Sequence, residues 1–390
     1  MDADALRQFT RRIVRLDQNW GLAQPRIIGQ VRKWRIGERS ILESNCLFQF
    51  PTSEMFIFHS SKLLKCFNCA TNQNSTVLDL NAYVRAASFD ILPDQSVIMG
   101  LALRGGPRFN TSMLVFARLE LNSDKTAVTG TVLLRQTLTD ESDCEKPFVS
   151  ATIVGAVRSR DKTTEVLAYN LLNKTSTIIE TDIPIDYTIS RRLEFSFHEE
   201  NLYMLADDCT KAYIYCCPRD MLPYDQTSDT SYSICYRALR PLRFANSTWK
   251  RRTMVSSQMY RNASFVKVHD VMGPPGSTFG TSFRFWQRAD RLGEKDLVQE
   301  TIVPGVCPGE LTLQVGLTGH HVVAALLGPG QSGFTLTLVS SNPEEGSCSS
   351  HQLQLPVDWS APPPNILSVD DYQGVVWLAS HGNLLAVPYA

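Results

Sequence analysis

The sequence predicts an all-β fold: a closed β-propeller of about seven blades, preceded by one N-terminal amphipathic helix. Three observations predict it. Helical periodicity is confined to the start of the chain, short strand-like runs separated by turns fill the rest, and a weak internal repeat recurs along those runs. A double β-sandwich is the alternative architecture that the same strands allow.

The N-terminal helix is predicted over residues 4–20. Its apolar residues recur at the three- and four-residue spacing of one helix face, and they are Leu6, Phe9, Ile13, Leu16 and Trp20. The arginines of this segment lie at other positions, namely Arg7, Arg11, Arg12 and Arg15. Gly21 and Pro25 follow, and they end the helix because glycine favours the left-handed cap and proline cannot continue the helical hydrogen bonds.

The rest of the chain consists of short runs rich in Val, Ile, Phe, Tyr and Thr, separated by turn-forming residues. The strand candidates are Met55 to His59, Ser96 to Leu103, Ser112 to Leu119, Glu165 to Asn170, Asn201 to Leu205, Ala212 to Cys216, Phe334 to Val339 and Val375 to Ala379. Parallel strands need long crossover connections, usually helical, and none is visible here. The strands are therefore expected to pair as antiparallel meanders.

A short WD-like echo favours blades over a sandwich. Ser88-Phe-Asp, Ser196-Phe-His and Ser368-Val-Asp each precede a polar turn and then an apolar strand. Blades of about 40 to 50 residues fit roughly seven times after the helix. We therefore place the helix and a linker at residues 1–24 and the propeller domain at residues 25–390.

The two ends of the chain are predicted to share one blade. A propeller removes its open edges when a strand from one terminus completes a blade begun at the other. Strand-like sequence occurs near both ends, from Arg26 to Ile36 and from Asn383 to Tyr389. The helix is expected to dock its apolar stripe on the outside of this closing blade and to leave its arginines exposed.

Composition and charge exclude several classes of function. Lys plus Arg number 38 against 39 for Asp plus Glu, so no global positive field would gather nucleic acid. No apolar run approaches the roughly 20 residues that a membrane-spanning helix needs, and the first residues lack the apolar core of a secretory signal. We expect an intracellular protein, cytoplasmic or nuclear, whose cysteines are mostly buried free thiols.

Two motifs resemble known ligand sites but lack the required context. Gly328-Pro-Gly-Gln-Ser-Gly333 matches the spacing of a dinucleotide-binding loop, yet strand-like sequence follows it where that loop needs a helix, so a hairpin turn is predicted. Cys66 and Cys69 form a C-x-x-C pair without a second pair of ligands or a helix start. We predict that this pair binds no metal, and we expect no cofactor.

Histidines and paired acids provide the remaining candidates for chemistry. His320 and His321 are neighbours on a strand, so one is expected to be exposed and the other packed. The acidic pairs lie at predicted hairpin turns, where carboxylates cap backbone amides: Asp207-Asp208, Glu199-Glu200, Glu344-Glu345 and Asp370-Asp371. No catalytic, cofactor-binding or metal-binding residue is assigned. The rival hypothesis is a propeller hydrolase whose Asp90, His198 and Asp370 converge in the central channel.

Several segments resemble the C-terminal, propeller-like regions of F-box proteins from basidiomycete fungi. Arg12-Ile-Val-Arg-Leu-Asp-Gln-Asn-Trp20 is similar to the helix end that follows the F-box in that family, and Pro25-Arg-Ile-Ile-Gly-Gln-Val-Arg is similar to the next strand. Tyr83-Val-Arg-Ala-Ala-Ser-Phe-Asp90 resembles a blade opening, and Ser368-Val-Asp-Asp-Tyr-Gln-Gly374 resembles the closing strand pair. Residues from about 105 to 360 show little likeness to the family.

The resemblance implies a non-enzymatic protein–protein interaction module, similar to the substrate receptor of a ubiquitin ligase. The three-helix F-box itself has no counterpart in this sequence, so binding to a Skp-type linker is not expected. We expect a monomer with a protein partner and without nucleic-acid or membrane partners. No functional residue of the family can be transferred, because no matched position is a known catalytic or ligand site.

Overall fold

We analysed a computed structural model of the chain. The described residues are 3–35, 46–51, 53–105, 111–138, 144–160, 163–184, 194–207, 211–225, 230–233, 238–243, 250–260, 264–272, 280–287, 297–308, 312–316, 318–328, 333–356, 359, 363–380 and 383–390. These residues form an all-β, seven-bladed β-propeller arrangement with one N-terminal helix. The predicted fold class is therefore confirmed.

The helix α1 spans Ala3–Trp20, as the apolar periodicity predicts. It ends at Gly21, whose backbone amide donates to the carbonyl of Asp17 at 2.9 Å. The strand β1 follows at Arg32–Arg35. The chain forms two compact units, one made of Met1–Ser44 with Ala245–Ala390 and the other of Asn45–Phe244.

The unit Asn45–Phe244 contains four sheets, each built around a four-stranded antiparallel meander. The first is β2 (Cys46–Gln49), β3 (Met55–Ser60), β4 (Leu63–Asn68) and β5 (Gln73–Asp79). The second is β6 (Tyr83–Ile91), β7 (Val97–Gly105), β8 (Thr111–Leu121) and β9 (Val128–Leu138). The third contains β10 (Cys144–Val149), β11 (Ile153–Arg160), β12 (Thr163–Asn170) and β13 (Ser176–Pro184). The fourth contains β14 (Glu194–His198), β15 (Asn201–Asp207) and β16 (Lys211–Cys217). Its last strand follows only after the chain has added one strand to the third sheet.

The strand added to the third sheet makes the one parallel pairing among the described strands. After β16 a 3₁₀ turn at Arg219–Met221 leads to β17 (Thr230–Ser233), which pairs in parallel with β13 of the third sheet. The chain then returns as β18 (Ala238–Arg243), antiparallel to β16. The predicted antiparallel pairing holds for the other described strands. The exception arises because the segment between β16 and β18 of the fourth sheet adds a strand to the third sheet.

The other unit contains the remaining three sheets. The fifth is β19 (Lys250–Tyr260), β20 (Ser264–Met272), β21 (Gly280–Gln287) and β22 (Leu297–Pro304). The sixth is β23 (Leu313–Val315), β24 (His321–Leu327), β25 (Phe334–Asn342) and β26 (Ser347–Gln352). The seventh has the order β27 (Asn365–Asp370), β28 (Val375–Ser380), β29 (Asn383–Pro388) and β1. Each of the eight strand candidates lies within one of these elements or exceeds it by a single residue. Of the strand-like sequence from Arg26 to Ile36, the strand β1 covers only Arg32–Arg35, and residue 36 lies outside the described residues.

The seventh sheet joins both ends of the chain, which confirms the predicted shared blade. Arg32 lies opposite Ala386 and Arg35 lies opposite Asn383 in an antiparallel ladder. Trp34 of β1 stacks on Trp377 of β28, with ring centroids 5.5 Å apart. The C-terminal strand β29 thus lies inside the sheet, where its four central residues, Leu384 to Val387, are buried.

The helix does not dock on the outside of this blade, so that expectation is wrong. Leu16 packs against Gly374 in the turn between β27 and β28, beside Ala390 at the C-terminus, and Trp20 packs against His321. The physical reason is that β1 presents mainly charged residues, whereas glycine at position 374 leaves room for Leu16: a Cβ there would lie 2.6 Å from Leu16 Cδ1.

The apolar stripe of α1 is only partly covered. Leu16 and Trp20 are buried, Ile13 is partly buried, and Leu6 is 51% exposed. The side chain of Phe9 lies outside the described residues. The last turns of α1 therefore anchor the helix, and Leu6 projects beyond the anchored part.

The predicted hairpin at Gly328-Pro-Gly-Gln-Ser-Gly333 is confirmed by its flanking strands, whereas residues 329–332 themselves lie outside the described residues. The segment joins β24 to β25, and Leu327 lies opposite Phe334 in the antiparallel ladder. A dinucleotide-binding loop requires a helix after its glycines, whereas the strand β25 follows them here.

Deleting residues 381–390 is expected to abolish cooperative folding, because it removes a central strand of the seventh sheet. Burial of each Leu or Val contributes about 1.5–3 kcal/mol, and a domain has only about 5–15 kcal/mol in total. Thermal unfolding followed by circular dichroism measures the effect, and deletion of residues 1–3 is the control that should leave the melting temperature unchanged. A 1–380 chain that melts like the full chain would contradict the closure argument.

Candidate binding site

A cluster of polar side chains near α1 is the first place to look for chemistry. Asp371 follows β27, and its side chain is 2% exposed. Its Oδ2 accepts a hydrogen bond from the Thr318 hydroxyl at 2.5 Å and lies 3.4 Å from His321 Nδ1. The edge of the His321 ring meets Trp20, with centroids 4.6 Å apart.

This cluster ties the turns of two neighbouring sheets together. A Cβ at Gly316 would lie 2.2 Å from Asp371 Oδ1, so only glycine leaves room for the carboxylate there. The Asp371 carboxylate contacts the Thr318 hydroxyl and the His321 ring, and Trp20 covers that ring. The arrangement is therefore a packed structural junction. It explains why Asp371 is buried against the neighbouring sheet, although the sequence predicts that both acids of this pair cap a hairpin turn.

The prediction that one of the two neighbouring histidines is exposed is wrong. Both His320 and His321 are partly buried. Burial lowers the pKa of His320, and the neighbouring His321 lowers it further. The reason is that His320 precedes the strand in a turn, so strict alternation of strand faces does not apply to it.

The residues of the rival hydrolase hypothesis lie on three different sheets. Asp90 is in β6, His198 is the last residue of β14, and Asp370 is the last residue of β27. Asp370 caps its own turn, as predicted, by accepting hydrogen bonds from the backbone amides of Tyr372 and Gln373 at 3.0 and 2.8 Å. Burial raises the pKa of Asp370, and the nearby charge of Asp371 contributes to the rise.

The cysteines that the structure describes are free thiols, as expected. Burial raises the pKa of Cys66 to about 12 and that of Cys216 to about 11, so both are protonated and unreactive at neutral pH. In the described part of the chain, no three His, Cys, Asp or Glu side chains are grouped to hold a metal ion. No described helix is long and apolar enough to cross a membrane.

A pocket lined by aromatic rings lies on the first strands of three successive sheets in the unit Asn45–Phe244. We call it the aromatic pocket. It is lined by Ser88 and Phe89 of β6, Lys146, Pro147, Phe148 and Val149 of β10, and Phe195 and Phe197 of β14. Phe89 is 37% exposed, and Phe195 and Phe197 are partly buried.

The rings of the pocket are held by further aromatic contacts. Phe89 stacks on buried Phe48 of β2, with centroids 4.3 Å apart and planes at 21°. Phe148 lies at the base, 5.4 Å from Phe195 and 6.0 Å from Phe197 between centroids. Because tilted and offset ring pairs are the favoured geometries, the pocket is already formed before any ligand enters.

Two glycines make room for the base of the pocket. A Cβ at Gly155 would lie 2.4 Å from the ring of Phe148, and one at Gly100 would lie 2.9 Å from Val149 and 3.1 Å from Pro147. The Ser88 hydroxyl donates to the carbonyl of Pro147 at 2.6 Å and joins β6 to β10. Proline is tolerated in β10 because this strand is the edge of its sheet.

Lys146 is the one charged side chain among the residues that line the pocket. Its position on β10 coincides with an irregularity of the β10–β11 ladder between Cys144 and Pro147. Such bulges redirect side chains at sheet edges. The pocket therefore combines apolar rings with one positive charge.

Sequence reasoning assigned no residue of this pocket to a site, although a signal was present. The Ser-Phe-Asp and Ser-Phe-His echoes place Phe89 and Phe197 near the end of the first strand of their blades, two residues before the end of β6 and one residue before the end of β14. The third echo, Ser368-Val-Asp, places buried Val369 there instead. The echo therefore indicated blade boundaries and also a position at which aromatic residues accumulate.

Comparisons with known proteins concern the fold. No protein-family model and no curated protein matches this chain. A chain of a mitotic checkpoint complex aligns over 94% of this chain and 93% of its own, with 10% identity and a TM-score of 0.48. The WD40 domain of Toxoplasma gondii coronin aligns over 93% and 87%, with 12% identity and a TM-score of 0.47.

A third solved structure is the β-propeller domain of the Trilobed protease from Pyrococcus furiosus. It aligns over 77% of this chain and 79% of its own, with 10% identity and a TM-score of 0.39. At these values none of the three similarities bears on what this chain binds or catalyses.

The Asp370→Asn variant is expected to gain stability relative to the native chain as pH rises from about 4 to 7. A carboxyl whose pKa is raised in the folded state binds more protons folded than unfolded, so its contribution to the free energy of unfolding falls above the unfolded value of about 3.9. Asparagine keeps the oxygen that accepts the two amides and carries no charge. Urea unfolding at several pH values measures the difference between the two chains.

Asp94→Asn is the matched control with the opposite sign. Hydrogen bonds from the hydroxyl and the amide of Ser96 lower the pKa of Asp94, so its charged form stabilises the folded chain above the unfolded pKa and the variant should lose stability as pH rises. An Asp370→Asn difference that does not change with pH would contradict the burial of that carboxyl.

Proposed function

We propose that this protein is a non-enzymatic protein–protein interaction module that binds its partner at the aromatic pocket. The observation that carries the proposal is the pocket itself: four phenylalanines from three successive blades around one lysine. Protein interfaces are enriched in aromatic residues at their centres, where they act as anchors in small pockets. A preformed pocket lined by aromatic rings has the composition expected at the centre of such an interface.

The lining of the pocket does not resemble a catalytic site. Covalent catalysis needs a nucleophile and a base within hydrogen-bonding reach, with a third group that orients the base. The one hydroxyl in the lining, that of Ser88, donates to the Pro147 carbonyl, and the remaining lining residues apart from Lys146 are phenylalanine, proline and valine. These groups favour binding over proton transfer.

We also propose that this module is the substrate-recognition part of an F-box type receptor, without the F-box in this sequence. The support is the likeness of its N-terminal helix, first strand and closing strands to that family. Sequencing the transcript upstream of the Met1 codon tests the finer proposal. An in-frame F-box would support it, and an upstream stop codon or an unrelated domain would contradict it.

A photocrosslinking experiment tests the interaction module. Replacing Phe89 with benzoyl-phenylalanine should give one dominant protein adduct in an extract of the native cells. Leu133 on the last strand of the same sheet is the matched control, because it is 41% exposed against 37% for Phe89. The adduct should not form at Leu133.

The proposal fails if Phe89 gives no adduct, or if both positions crosslink the same proteins equally. Thermal unfolding of both labelled chains establishes that each is folded. A discrete adduct confined to Phe89 identifies the partner directly by mass spectrometry.

A further inference from the structure

We infer that the exposed face of α1 binds an acidic amphipathic helix of a partner protein. This surface lies in the unit made of Met1–Ser44 with Ala245–Ala390, whereas the aromatic pocket lies in the other unit. The inference therefore goes beyond the proposed function and does not depend on it. It rests on an apolar row of α1, on a basic row beside it, and on the way in which the helix is anchored.

The apolar row runs along the exposed face of the helix. Leu6, Thr10 and Val14 are four residues apart, so they are neighbours on the helix surface. Leu6 is 51% exposed and Val14 is 47% exposed. The Thr10 hydroxyl donates to the Leu6 carbonyl at 3.0 Å, so its hydrogen is already used within the helix. The row therefore offers apolar contacts to a partner.

The basic row lies directly beside the apolar row. Arg7, Arg11 and Arg15 each follow one member of the apolar row, and all three are exposed. Arg11 and Arg15 have no Asp or Glu three or four positions away, and neither forms an ion pair with another described residue. Like charges at four-residue spacing destabilise a helix. Carboxylates of a partner would therefore relieve a repulsion in addition to attracting the arginines.

The anchoring of α1 argues against a lipid surface as the ligand. Leu16 and Trp20 are buried, so the wide apolar face that an interfacial helix inserts among lipid chains is already packed within this protein. The exposed apolar row is narrow and bordered by arginines, which bind carboxylates through two parallel hydrogen bonds. Because the whole chain has a net charge of -1, the attraction is local to this face.

The spacing of the two rows favours a helical ligand. Residues four apart form ridges on a helix, and the ridges of one helix pack into the grooves of another. The rows extend over about two turns, or about 12 Å. An extended segment places neighbouring side chains on opposite faces, so it cannot bring an apolar residue and the acid next to it to the same surface.

Binding of labelled model helices tests the ligand class. A fluorescent peptide of five Glu-Leu-Ala-Gln repeats has an acidic and an apolar row, and two variants carry Lys in place of Glu or Ala in place of Leu. In a fourth peptide proline replaces the central alanine and breaks the helix. Fluorescence anisotropy with the full chain, up to about 1 mM protein, reports even weak affinity. We expect the Glu-Leu peptide to bind about tenfold more tightly than each of the others.

Paired substitutions identify the surface. The variant with Arg11→Glu and Arg15→Glu should reverse the order of the Glu and Lys peptides. The variant with Leu6→Gln and Val14→Gln should weaken the Glu-Leu peptide about tenfold, because it removes the apolar contacts. All four side chains are exposed, and glutamate and glutamine are good helix formers. Thermal unfolding shows whether each variant is folded, and the order of the four peptides on the native chain is a test that needs no variant.

The variant with Arg35→Glu and Arg135→Glu is the matched control. It makes the same change of charge at two exposed arginines outside α1, so a general electrostatic attraction would respond to it as strongly as to the α1 variant. This control should keep the peptide order of the native chain.

Each outcome bears on the inference. Equal binding of the four peptides, no binding of any, an unchanged order in the charge-reversed variant, or a reversed order in the control overturns it. Phosphatidylserine vesicles test the lipid alternative, and sedimentation of the native chain with vesicles while the peptides fail would overturn the inference in favour of a membrane. The Phe89 crosslink decides the proposed function separately, because it reports on a different surface.

Discussion

The antiparallel pairing of β1 with β29 is the interaction on which the N-terminal part of the structure depends. It makes the seventh sheet from both ends of the chain, and it brings α1 to the turn after β27. The Asn19 side chain then donates to the carbonyls of Arg26 and Tyr389 at 2.8 and 2.6 Å, while its oxygen accepts from the Arg26 amide. One buried asparagine thus fastens the helix, the linker and the C-terminus together.

The same junction shows how a polar side chain can be buried without forming an active site. The Tyr389 hydroxyl donates to the Gln354 carbonyl at 2.7 Å, and the Gln354 side chain accepts from the Ile27 amide at 2.9 Å. Buried polar groups are stable when their hydrogen bonds are satisfied, and removing one partner is costly. The Asp371 junction follows the same rule, which is why a carboxylate and a histidine lie together there.

The aromatic pocket has a different origin. It lies where the first strands of three sheets meet. Its rings are positioned by packing against glycines on other strands of these sheets. Gly100 and Gly155 allow Val149 and Phe148 to approach the backbone closely, so the base of the pocket is set by packing behind it. A pocket supported in this way keeps its shape without a ligand, which lowers the entropy that binding has to overcome.

Much of the fold could be predicted from local patterns. The helix, the strands and the sharing of one blade by both termini follow from hydrophobic period, turn residues and the need to cover sheet edges. Periodicity also indicated that the glycines before Phe334 form a hairpin, because an alternating strand follows them. The helix, the strands and the hairpin depend on neighbours in sequence, and the shared blade follows from the general need to cover sheet edges, so these features can be predicted without coordinates.

Other features could not be predicted because they depend on which turns meet. Asp370 and Asp371 are identical residues side by side, yet one caps its own turn and the other enters the neighbouring sheet, where Gly316 leaves space. The site of helix docking was likewise decided by Gly374 and not by the helix itself. The Ser-Phe echo marked the pocket positions in sequence, but convergence with Lys146 and Phe148 required the packing of three blades. Sequence alone determined the elements and their order, whereas the tertiary structure decided which side chains meet, because contacts between blades join residues that are far apart along the chain.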